Sequence, residues 1–162
     1  MLGYGYTTYT KNMTQADLKE ELKNAMRAKD AVKLAVIRGI MTAVTNDLVQ
    51  KERGPDGVIS DDEMLTIIMR AAKQRKDSIQ QFTDGGRPEL AESEKAELVI
   101  LETMLPAQMS RDEIVAAATA KATEMGVTDK TKANMLMGNL MKDLKGKADG
   151  TLVKEVIDGM FA

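Results

Sequence analysis

The chain has 162 residues, room for one ordinary domain or two small helical ones, with 23 basic and 25 acidic side chains and a net charge of −2. It contains neither Cys nor His, which excludes thiol nucleophiles, disulfides, Cys/His zinc sites and imidazole general bases. The slight negative charge also argues against strong stand-alone binding of nucleic acid, because neutralised phosphates supply most of that affinity.

Residues 1–13 carry all three Tyr and show no apolar periodicity, so they read as a disordered extension with Met13 as a credible native start. Thr14 and Asp17 approximate a capping box opening a first helix, whose apolar stripe is Leu18, Leu22, Ala25 and Met26. Lys29-Asp30 makes a turn, and Asp30 can cap a second helix running to about Glu52. There Ile37, Met41, Val44 and Leu48 alternate four and three apart, with Leu34 and Ile40 beside them. Gly54-Pro55-Asp56-Gly57 is strong turn chemistry.

Ser60 with Glu63 is a capping box for a third helix, on which Ile68, Ala71, Arg75, Ile79 and Phe82 share one face. Arg75 interrupts that stripe, and a charge there needs a partner. After the Asp84-Gly85-Gly86 turn, Pro88 starts a fourth helix with Leu90, Glu94, Leu98, Leu101 and Leu105 on one face. The short loop implies an antiparallel hairpin, which sets Arg75 about opposite Glu97 with Glu94 a turn away. An ion pair of Arg75 with Glu94 or Glu97 is therefore expected. Gln74, Asp77 and Ser78 are candidates for a polar network with the fourth helix.

Leu105-Pro106 marks a boundary, with a flexible joint expected at Pro106-Ala107. Ser110 with Glu113 then caps a fifth helix that places Ile114, Ala117 and Ala118 inward and stops at Gly126. A sixth helix begins at Thr128 or Asp129 and reaches about Leu144, with Met137, Leu140, Met141 and Leu144 on one face. Gly146 suits a left-handed helix stop, and Asp149 can cap a seventh helix whose apolar face is Val153, Val156, Ile157 and Met160. No strand-like alternation occurs. The expected fold is all-α: a four-helix module of two antiparallel hairpins over 14–106 and a three-helix module over 107–162. The 13 Met read mainly as core filler, since Met adapts to irregular gaps.

Two groups of cations are candidate contact surfaces for RNA or a protein partner. Lys142, Lys145 and Lys147 surround Gly146, and Arg70, Lys73 and Lys76 lie on the exposed side of the third helix. Each also has a plainer reading, as charges favouring a helix C-terminus or as a solvated face. No phosphate loop or Ser-nucleophile elbow occurs, and no catalytic, cofactor-binding or metal-ligating set is assigned. No apolar run approaches a membrane span and no secretory leader opens the chain. The expected compartment is the cytoplasm, or the mitochondrial matrix for a eukaryotic source.

Met137-Gly138, Leu140-Met141, Lys145-Gly146, Ala148-Asp149-Gly150 and Val153 together resemble the C-terminal motif of the GatB/YqeY family. The middle of the chain agrees. Lys73-Gln74-Arg75-Lys76-Asp77-Ser78-Ile79, Phe82, Gly86-Arg87, Glu94 and Leu105-Pro106-Ala107-Gln108 resemble the YqeY signature. Two separated motifs in the right order make the resemblance specific, and it extends over roughly Thr14 to Phe161. The family shares its tail with the GatB component of the glutamyl/aspartyl-tRNA amidotransferase. The resemblance therefore implies a tRNA-associated binding or accessory module, with weak local contact to tRNA. A carbon–nitrogen ligase label would be inherited from the shared tail, since neither the catalytic body of that component nor an amidase signature is present. The other reading is an adaptor that holds a protein partner and has no RNA role.

Overall fold

The computed structural model describes residues 12–54 and 56–162, and every regular element among them is helical. Up to Pro106 the chain forms one compact module with α1 (Gln15–Ala28), α2 (Ala31–Gln50), α3 (Asp61–Asp84) and α4 (Pro88–Thr103). From Ala107 it forms a second, with α5 (Arg111–Met125), a short 3₁₀ turn (Lys130–Lys132), α6 (Ala133–Asp143) and α7 (Gly150–Met160).

Free amides at a helix start need acceptors, and the local sequence supplies them. The Thr14 amide donates to the Asp17 carboxylate at 2.9 Å while the Asp17 amide donates to the Thr14 hydroxyl at 3.1 Å, so Asp serves where Glu or Gln is commoner. Ser60 with Glu63 and Ser110 with Glu113 form the same reciprocal box. Asp30 accepts from the Lys33 amide and opens α2. Gly126, at φ 64°, closes α5 in the left-handed conformation that favours glycine.

In the first module α1 packs on α2, α3 on α4, and α2 also touches α3 and α4. Ile37, Ile40 and Val44 of α2 meet Met64, Ile67 and Ile68 of α3 and Leu101 of α4 in one core. Met13 belongs to that core at 2% exposure, so the expected extension ends before it, and residues 1–11 lie outside the described residues. The reason is local: Met13 precedes the N-cap and Leu18 is the fourth helical residue, the two positions of a hydrophobic staple. Leu90, expected inward, is 37% exposed, and Ala91 is buried in its place. Between Ala72 and Ala91 no residue is buried. That part of the α3–α4 seam half-covers Ile79 and Phe82, as two helices shield a side chain from one direction only.

The second core joins Ile114, Ala118 and Ala122 of α5, Leu136 and Leu140 of α6, and Val153, Val156 and Ile157 of α7. Leu136, fully buried, lies deeper than the expected Met137 and Met141, which flank the core half-buried. Met13, Met64 and Met104 are core side chains, while Met26 and Met135 are exposed. Most of the remaining Met residues pack at the margins of the two cores, as filler would.

Candidate functional site

The turn between α6 and α7 is built from both sides. Within the turn, the Lys147 and Ala148 amides donate back to the Leu144 carbonyl at 2.9 and 3.2 Å. Gly146 has φ 76°, a left-handed conformation that lets the chain reverse. One Asp149 carboxylate oxygen accepts from the Thr151 and Leu152 amides at 2.9 and 3.2 Å and so opens α7. From outside the turn, the side-chain amide of Gln108 donates to the Gly146 carbonyl at 2.7 Å, and the Met109 amide donates to the Lys147 carbonyl at 2.7 Å.

Burial alternates along this turn. Leu144, Gly146 and Ala148 are buried, whereas Lys145 and Lys147 are exposed between them. Lys142 is exposed on the last turn of α6. Neither Lys142 nor Lys147 has a carboxylate within ion-pair distance among the described residues. Nearby, Lys121 of α5 reaches Asp143 at 3.0 Å and Glu124 at 3.3 Å, and these carboxylates raise its pKa. The cations around Gly146 are thus displayed on backbone that is hydrogen-bonded on two sides. Such a surface can bind an anion or a partner. Gly138, part of the quoted motif, is exposed on α6, and a Cβ there would meet no atom within 4 Å.

The second group of cations is divided. Lys73 pairs with Asp77 at 2.9 Å, Lys76 reaches Glu102 at 3.9 Å, and Arg70 is exposed without an ion-pair partner among the described residues. Arg75 turns inward. Its two terminal nitrogens lie 3.3 Å from Glu94 and 2.8 Å from Glu97. The polar network expected from Gln74, Asp77 and Ser78 toward α4 takes another form: Asp77 pairs on its own helix, and Arg75 and Lys76 make the links across.

Two features have no counterpart among the expectations from sequence. The strap by Gln108 is one, although Leu105-Pro106-Ala107-Gln108 stands out as a motif. The other is a cluster at the start of α3. Glu63 accepts from Lys51 at 2.7 Å, Arg53 at 2.8 Å and the Ser60 amide at 2.7 Å, which together hold its carboxyl far below the ordinary range. Among the described residues no group of three or more Asp or Glu side chains is placed to hold a metal ion, and no helix is long and apolar enough to cross a membrane.

Comparison with known proteins bears on the same surfaces. The family model described as "YqeY-like protein" matches residues 15–160. A relative from Pyrenophora tritici-repentis, "Altered inheritance of mitochondria protein 41, mitochondrial", is 30% identical over 152 residues, 91% of this chain and 80% of the relative. The protein of the same name from Kluyveromyces lactis is 32% identical over 154 residues, 90% of this chain and 80% of the relative. The match runs through both helical modules and includes the strap and the turn it holds: the chain belongs to the YqeY-like protein family.

Proposed function

We propose that the protein is a tRNA-associated accessory module related to the tRNA-dependent amidotransferases, touching RNA through the turn around Gly146. The observation that carries this reading is the exposed, unpaired state of Lys142 and Lys147 on backbone fixed by Gly146 and Gln108. Lysines on fixed backbone meet phosphates at a smaller entropic cost than lysines on a loose loop. Few such contacts are available and the chain is slightly acidic overall, so the contact is local and weak, with affinity set largely by salt. In this reading the chain contributes binding, and the chemistry of amide transfer belongs to another protein. The compartment is the cytoplasm or, as the names of the relatives say of those proteins, mitochondria.

The test is binding of the full chain to total tRNA at several salt concentrations, beside a Lys142/Lys145/Lys147→Ala variant. Binding that weakens with salt is expected, and the variant should lower the slope of log affinity against log salt by about 2. Absence of binding even at low salt removes the reading.

A further inference from the structure

The first module holds a cleft that its own chain does not fill. Gly39 and Ala43 of α2 face Ala71 of α3, and these small residues leave about 210 Å³ open above Ile40, Ile67 and Leu101. Glycine inside a helix is destabilising relative to alanine. At Gly39 no packing demand offsets that cost, because an added Cβ would meet no atom within 4 Å. Gly39 borders the cleft on this open side of α2. Val32, Val36, Gly39 and Ala43 share this face of α2 at spacings of four, three and four; Val36 is buried in the core, and Val32 is 42% exposed.

The polar lining of the cleft has one sign. Arg70, Gln74 and Arg75 contribute to it and no carboxylate does. Arg70 has no ion-pair partner among the described residues. Arg75 uses its terminal nitrogens on Glu94 and Glu97 but keeps a buried Nε–H without an acceptor. Size then separates the occupants. The cleft exceeds the roughly 150 Å³ that accommodates benzene and falls short of the roughly 300–1,000 Å³ usual for small-molecule sites. That suits one large apolar side chain delivered on a polypeptide.

We propose that this cleft docks a short amphipathic helix of a protein partner. One Leu- or Phe-sized side chain would sit over Gly39 and Ala43, and a carboxylate within a turn of it would face the exposed Arg70. Helix-in-groove binding of this kind uses anchors spaced three and four apart on the incoming helix. The proposal concerns the first module and is independent of the RNA reading.

The experiment pans a phage-displayed library of helical peptides against the immobilised full chain, with Gly39→Leu and Arg70→Glu chains as counter-targets. Both sites are exposed, and unchanged circular dichroism and melting temperature establish that each variant is folded. Expected are peptides carrying an apolar anchor flanked by Asp or Glu, whose affinity falls by about tenfold or more on either variant. Such peptides should shift the amide resonances of Gly39, Ala43 and Ala71. Peptides that do not discriminate the Gly39→Leu chain, or that are enriched in Lys and Arg, overturn the proposal. So does octanoate if it saturates those resonances while no peptide does, since the site then takes a small acid. Self-association abolished by Gly39→Leu also overturns it, by assigning the cleft to a second copy of this chain.

Discussion

The guanidinium of Arg75 on α3 lies 2.8 Å from the carboxylate of Glu97 on α4. A charge on the inner stripe of a helix is tolerable there because its partner comes from the facing helix, and Glu94 adds a second contact at 3.3 Å. Removing the cation would leave two half-buried carboxylates three residues apart. Arg75→Ala is expected to cost about 1–3 kcal/mol, more than an exposed ion pair and less than a fully buried one. Urea unfolding at neutral pH measures it. Arg75→Lys should recover only part of the loss, since one ammonium cannot reproduce a fork that reaches both carboxylates. A midpoint unchanged in Arg75→Ala would contradict the structural role.

The strap on the basic turn gives a second expectation. Gln108→Ala removes a side-chain donor from the Gly146 carbonyl and should cost about 1 kcal/mol. Gly146→Ala forces a Cβ into a left-handed conformation at φ 76° and should cost about 1–2 kcal/mol. Amide hydrogen exchange at Lys147 and Ala148 should quicken in both variants. If tRNA binding follows the proposed route, Gln108→Ala also weakens it while leaving every lysine in place.

Glu63 sets a pH dependence. Its carboxyl sits far below its ordinary value of 4.5 because Arg53, Lys51 and the Ser60 amide all donate to it. The unfolded chain takes up this proton near the ordinary value, whereas the folded chain resists until much lower pH. The contribution to stability is therefore complete above the ordinary carboxylate range and is lost as pH falls below it. Glu63→Gln keeps a side chain able to close the capping box and removes only the charge. Melting temperatures of the two proteins should differ at pH 7 and converge toward pH 3. A gap that stays constant with pH would show that the charge contributes nothing.

Gly138 makes the converse point. It lies exposed within α6, and nothing crowds a Cβ there. Gly138→Ala is expected to stabilise the protein by about 0.5–1 kcal/mol, as at other unconstrained helix glycines. Thermal unfolding reads this directly. If the more stable variant binds tRNA less well, the glycine serves close approach of a partner and not the fold.

Much of this architecture is written in short-range chemistry. Thr14, Asp30, Ser60, Ser110 and Asp149 each satisfy amides within three positions of themselves. Helix starts are therefore legible one residue type at a time, and apolar spacing marks most of the inward faces. Even the partners of Arg75 follow from counting outward from the Gly85-Gly86 turn. Other features depend on packing that no local window contains. Gln108 meets the Gly146 carbonyl across 38 positions. Lys73 pairs with Asp77 one turn along its own helix, whereas Lys76 reaches Glu102 only because α4 packs beside α3. The cleft at Gly39 is the extreme case. It is space left between α2 and α3, and a sequence specifies side chains, while the volume they leave empty exists only once the helices have packed.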